Sequence, residues 1–374
     1  MKLLAKICFV LFVAFPLILP ATSTFAQLTP EELLENREAE REKRLDDLEQ
    51  LKQLKATPRT AEEVLELLKE RAKIKLEEKR KELLRKKKFS VGITGGYESN
   101  PLNDGLNKGD SYEENSFTFD WIPTFSTTLS ADVGYSLYNR TYIREDSLNS
   151  DTHTLSGSLK IIPLKSGKLS IEPGIKKEWS LYPFDATSTF TQWKTFLKYS
   201  YTLSQKWTHG GKYEYAYKTY ATKNARTPAA VDIDGLDKND YRNTIEWWLK
   251  RQMGRYSIKF KEKSYRNNSN DEYQKYDDYD SHDGEISLSA AFLKDYKLYV
   301  IFSADYEIKN YRQRASDENT ARNDRILQYR LNNYYTINKA LSLSYSFSLK
   351  NSNSNKTTGE FSNITNSLGL TVNF

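Results

Sequence analysis

The sequence predicts an all-β transmembrane barrel of about fourteen antiparallel strands behind an N-terminal α-helical segment. Three observations predict it. From Phe89 onward, apolar residues recur with period two over runs of about ten to fifteen residues, long for a soluble sheet. The connections between these runs alternate between short and long. After residue 26 no stretch approaches ~18 consecutive apolar residues, so helices are not the spanning element.

Residues 1–26 read as a secretory signal. Lys2 and Lys6 supply the positive end, the run from Ile7 to Leu19 is apolar, and Thr24-Phe25-Ala26 resembles a cleavage site. Pro16 and Pro20 break a run too short to serve as a membrane anchor. The single cysteine, Cys8, lies inside this signal, which excludes disulfide and thiolate chemistry after export. A formal charge of +6 is modest for 374 residues and gives no reason to expect a nucleic-acid partner.

Residues 27–88 form a second region, rich in Leu, Glu, Lys and Arg and without glycine. Thr29-Pro30-Glu31-Glu32 and Thr60-Ala61-Glu62-Glu63 each place a capping threonine three residues before a glutamate, the signature of a helix start. Pro58 separates the two helices. Leu45, Leu48, Leu51 and Leu54 give the first a narrow apolar stripe, and Val64, Leu68, Ala72 and Leu76 give one to the second. A solvated linker and a helix pair that oligomerises or docks a periplasmic partner both fit that pattern. Arg85-Lys86-Lys87-Lys88 is placed at the inner leaflet, where anionic lipid attracts it.

The third region, 89–374, carries the alternation. Leu298, Val300, Phe302, Ala304, Tyr306 and Ile308 share one strand face, with mostly polar residues between them. Leu341, Leu343, Tyr345, Phe347 and Leu349 repeat the pattern opposite a ladder of serines. Strands are predicted near 89–98, 116–126, 129–143, 152–163, 168–182, 189–203, 206–221, 239–252, 254–267, 283–293, 296–311, 324–337, 340–351 and 361–374. Long loops are predicted at 99–115, 144–151, 183–188, 222–238, 268–282, 312–323 and 352–360. An even strand count puts both chain ends on the short-turn side, the periplasm in an outer membrane. In hydrocarbon every backbone polar group needs a partner, so an all-strand structure must close. A chain with mean hydropathy −0.73 can then span, because lipid meets only one face of each strand. Trp121, Trp179, Trp193, Trp207 and Trp247 are expected in interfacial girdles.

Enzymatic chemistry is not predicted. His153, His209 and His282 show no metal spacing, and no nucleophile triad can be assembled. Acidic clusters at Asp232, Asp234, Asp237 and Asp240 and at Asp277, Asp278, Asp280 and Asp283 miss the EF-hand spacing and read as solvated loop tips. Gly95-Gly96 and Gly210-Gly211 lie in strands and read as curvature relief rather than phosphate loops. No cofactor is expected.

The inward face is the candidate functional surface. Its predicted pore-lining residues are Arg140, Arg144, Lys160, Lys176, Lys212, Glu214, Arg242, Glu246, Lys259, Lys297, Asp305 and Arg330. Charges of both signs imply water or a polar plug rather than a dry core, and the predicted excess is basic, which favours anions.

Two stretches carry a resemblance. Gly369-Leu370-Thr371-Val372-Asn373-Phe374 resembles the C-terminal signal read by the outer-membrane assembly machinery, with Gly369, Val372 and Phe374 at its defining positions and Val372 replacing the more usual aromatic. Gly96-Tyr97-Glu98-Ser99-Asn100-Pro101 resembles the Gly-Tyr-Asp/Glu-Ser-Asn stretch near the start of outer-membrane β-barrel porin families. The barrel of surface lipoprotein assembly modifier proteins is similar there, and also has about fourteen strands behind a helical periplasmic domain. Residues 27–88 depart from that family, being too short and too charged for a tetratricopeptide array. The resemblance therefore implies a porin-like or exopolysaccharide-associated barrel that passes polar solutes, saccharides or anions among them. The alternative is a non-transporting anchor that docks a periplasmic partner or export system through residues 28–88.

Overall fold

The computed structural model describes residues 87–374 except 104–107, 127, 165, 228, 230, 273–277, 294–296, 313–320 and 357–358. Before residue 87 it describes Lys69, Lys73 and Ile74, which are helical. The predicted signal peptide, both capping boxes, the leucine stripes, and Arg85 and Lys86 lie outside the described residues.

Fifteen strands follow one another in the described chain: β1 (Lys87–Glu98), β2 (Asp110–Trp121), β3 (Thr124–Ser126), β4 (Leu129–Tyr142), β5 (Ser150–Ile161), β6 (Leu169–Leu181), β7 (Phe190–Thr202), β8 (Trp207–Arg226), β9 (Asp232–Met253), β10 (Tyr256–Ser269), β11 (Tyr279–Phe292), β12 (Leu298–Tyr311), β13 (Asn323–Thr336), β14 (Leu341–Ser354) and β15 (Phe361–Asn373). Each wall strand pairs antiparallel with its neighbours in sequence, β15 pairs with β1, and β2 pairs with β4 past the stub β3. The result is a closed barrel of 14 strands. No helix among the described residues is long and apolar enough to cross a membrane; the strands span instead.

The predicted strands are observed, with three differences. The strand expected at 116–126 starts at Asp110 and stops at Trp121, because Pro123 interrupts the ladder and leaves β3 as a short flap on β4. Lys87 and Lys88, read as preceding the barrel, are the first residues of β1. The predicted loop 222–238 is mostly strand: β8 and β9 run on past their neighbours as a projecting hairpin, paired at Asn224↔Asp237 and Arg226↔Asp232 with register shifts between. Arg226 grips Asp271 of the next loop at 2.7 Å.

Turns at one end are tight. Gly254-Arg255 alone joins β9 to β10, and Gly254 takes φ +60°, which a side chain would resist. Loops at the other end are longer, and two contain a single helical turn, Asp146–Leu148 and Ala186–Ser188. Hydroxyl groups of Ser188 and Thr187 donate to Asp185 beneath the second turn and hold its carboxyl below the usual carboxylate range.

Register fixes which face each residue takes. Leu368, Leu370 and Val372 point outward opposite Gly95, Ile93 and Val91 on β1, and Phe374 follows beside Phe89 beyond the last pair. Outward side chains stay open to their surroundings: Ile245 is 63% and Leu368 56% exposed. The five tryptophans expected in girdles all face outward. Few apolar side chains are buried anywhere in the described chain, so no dry core holds this fold. Its stability rests on the closed ladder and on lipid as the solvent of the outer face.

The seam between β1 and β15 is latched. Ser99–Asn103, the tail of the motif that carried the porin resemblance, folds over the start of β15. Ser99 N–H donates to the Ile364 carbonyl at 2.8 Å, and Ile364 N–H donates back to Ser99 Oγ at 2.7 Å. Fully buried Asn100 donates its N–H to Asn363 Oδ1 at 3.2 Å. Asn363→Ala leaves that N–H without its acceptor and is expected to cost about 1–3 kcal/mol. A lowered urea midpoint, read by the gel shift between folded and heat-denatured barrel, checks this.

Candidate functional site

The inner wall is built by the residues alternate to the apolar ones, and the register brings them together in defined groups. Near the long-loop end Arg140 donates from Nη2 to Glu114 at 2.7 Å, lies 3.6 Å from Glu98, and covers the Tyr112 ring. Lys176 and Lys194 share Glu178 at 3.3 and 3.2 Å. Lys212 pairs with Glu214 on the same strand. Arg242 donates to Asn267 Oδ1 and to the Tyr279 hydroxyl, and stacks over Tyr265.

A second group crosses four strands. Arg330 on β13 donates to Asp305 on β12 at 2.6 Å and to Glu285 on β11 at 3.2 Å. Lys261 on β10 reaches Glu285 at 2.5 Å. Tyr265 and Ser281 both donate to Glu307 nearby.

Toward the short-turn end the pairing thins out. Lys198 and Lys212 lie directly across from each other, and so do Lys250 and Lys259. Like charges placed opposite repel. Lys198 reaches Glu172 at 2.9 Å, whereas Lys250, Lys259 and Lys160 have no ion pair among the described residues. Lys259 lies over the inward ring of Trp248, 5.6 Å from its centroid. Glu246, across from Lys212 and Lys263, completes this arc on β7 to β10.

The wall on β14, β15 and β1 has a different character. Ser342, Ser344, Ser346 and Ser348 face Thr371, Gly369, Ser367 and Thr365, which in turn face Gly92, Thr94, Gly96 and Glu98. Between Glu98 and Lys350 at the long-loop end and the short turns, this surface is small, hydroxyl-rich and uncharged.

Ten of the twelve predicted lining residues lie on the inward face of wall strands. Arg144 is in the loop after β4, where its N–H donates to Asp110 at 2.9 Å. Lys297 precedes β12 at the short-turn end, its carbonyl accepting from Thr336. Inward charges outside the prediction include Lys194, Lys263 and Lys350, and Glu98, Glu114, Asp283 and Glu285. The same alternation marks all of them. Counting these three cations and four carboxylates lowers the basic excess of the twelve by only one and shows a segregation: lysines predominate on β7 to β10, carboxylates on β11 and β12. No cluster among the described residues has the composition of a metal site.

A closed antiparallel ring, apolar outside and charged within, defines a transmembrane β-barrel of the outer-membrane type. No protein-family model matches the chain, and no curated protein matches it by sequence. Among solved structures it is similar to the CymD monoaromatic hydrocarbon channel, at 11% identity and TM-score 0.44 over 77% of this chain and 88% of that one. It is also similar to OmpT, an outer membrane protein of Vibrio cholerae, at 8% identity and TM-score 0.42 over 77% and 98%. A third is a bacterial polysaccharide outer membrane secretin, at 10% identity and TM-score 0.39 over 76% and 98%. At these identities the likeness concerns the fold alone.

Proposed function

We propose that the barrel is a passive channel or export pore for polar solutes that carry negative charge, acidic saccharides among them. One observation carries this reading: the lysine arc at the short-turn end, with Lys250 and Lys259 opposite each other and no carboxylate bound to either. Lysines held at close range without counter-charges keep a positive potential in the lumen, which draws in anions and repels cations. The serine and threonine wall on β14 and β15 offers donors and acceptors to a hydroxylated solute. Inward aromatic faces at Trp248, Tyr265 and Phe196 add surfaces on which a sugar ring can lie. On this reading the short-turn end, with residues 27–88 before it, faces the periplasm, and Gly369, Val372 and Phe374 serve assembly rather than transport.

Planar-bilayer recording of the purified barrel under a salt gradient tests the proposal. Discrete conductance steps with a reversal potential of anion sign are expected. Cation preference, or a bilayer that stays silent, rejects it.

A further inference from the structure

Two side chains on the outer wall do not suit hydrocarbon. Lys177 on β6 lies across from Leu155 and Trp193, and Glu262 on β10 across from Trp247 and Gly284, all outward positions. A charge on the lipid face costs stability that grows with depth. Neither side chain has an ion-pair partner among the described residues. The Lys177 ammonium rests against the rings of Trp193 and Trp179, at 4.8 and 5.7 Å. Glu262 borders a shallow outward groove of about 390 Å³, floored by Gly284 and Ala304 and rimmed by Phe260 and Tyr306. A Cβ on Gly284 would meet nothing within 4 Å, so the floor is open.

We propose that a second copy of this chain fills the groove, with its Lys177–Trp193 face seated so that the ammonium meets Glu262. The two charges have opposite signs, and neither has an ion-pair partner among the described residues. Their heights along the wall are close: counted from the short-turn end, Lys177 is the ninth of the 13 residues of β6 and Glu262 the seventh of the 14 of β10. In copies inserted in one direction that offset of two residues is about 5 Å along tilted strands, within the span of a lysine side chain. The groove takes a large outward side chain such as Trp193, which is 43% exposed in the single copy. Strands β7, β8 and β9 separate the two faces, so the contact is head-to-tail and repeats from copy to copy, as a ring or a row.

Cysteine cross-linking in intact outer membranes tests this, because Cys8 is the only native cysteine and lies in the predicted signal. A chain carrying both Lys177→Cys and Glu262→Cys is expected to give a ladder of dimers and higher species, and either single variant to stay monomeric. Absence of the ladder overturns the proposal, as do single variants that cross-link as well as the double, since that contact would be symmetric. The charges are tested separately by co-purification of differently tagged copies from folded, heat-modifiable protein. Glu262→Lys is expected to abolish it, and Lys177→Glu in the same chain to restore it. If both variants co-purify like the native chain, the carboxylate faces a lipid amine instead and the proposal fails.

Discussion

Replacing Lys198, Lys212, Lys250 and Lys259 together by glutamate is expected to reverse the sign of the reversal potential, from anion to cation preference. The four side chains occupy two directly opposed pairs on adjacent strands. Reversal therefore makes negative both the unpaired Lys250 and Lys259 and the carboxylate-paired Lys198 and Lys212, while leaving the outward face untouched. Exchange of all four for glutamine is the matched control: it should remove selectivity without inverting it. The fold need not suffer. Lys250→Glu alone sets a carboxylate across from Lys259 in place of a like charge, an exchange worth about 0.2–1 kcal/mol in favour of the barrel. A more stable but less anion-selective protein would separate the transport role of Lys250 from any structural one. Unchanged selectivity in the fourfold variant would remove the observation on which the proposed function rests.

Loss of Arg330 is expected to be the most damaging single change in the wall. Its guanidinium joins Asp305 and Glu285, whose side chains are each only 11% exposed. Removing it leaves two carboxylates on neighbouring strands with Lys261 as their remaining cation. Truncating one member of a buried ion pair costs about 3–5 kcal/mol. Arg330 itself is 37% exposed to the lumen, so water relieves part of that cost and about 1–3 kcal/mol is expected for Arg330→Ala. Arg330→Lys keeps the charge but cannot bridge two carboxylates in the same plane, and should recover only part of the loss. Urea midpoints of the refolded barrel separate the three proteins. A midpoint for Arg330→Ala equal to that of the native chain would show the cluster to be a solvated surface.

Much of this architecture was legible because lipid and water impose opposite demands on the two faces of a strand. The runs 298–308 and 341–349 alternate without a break, and β12 and β14 lie where that alternation puts them. The projecting part of β8 and β9 was not legible for the same reason. Beyond the membrane both faces of a hairpin meet water, so Asp232 to Asp240 have no apolar partner to alternate with. Backbone pairing and the Arg226–Asp271 clamp hold them, and neither leaves a periodic signal. Trp247 and Trp248 show a milder form of the problem: one faces lipid and the other the lumen, but side by side they look alike. Within the site, parity identified which charges point inward. It could not join Arg330 to Glu285, two strands away, since that contact depends on how three strands slide against one another.

The latch at Ser99–Asn103 and the pairing of β15 with β1 have a consequence for biogenesis. The two staves that complete the ring are the first and the last of the described strands, and Phe374 N–H still finds its acceptor on Phe89. Until β15 arrives, β1 carries an open row of donors and acceptors and would pair with any loose strand it met. The pairing of β15 with β1 has the largest sequence separation of any in the barrel, so its loop-closure cost is the highest.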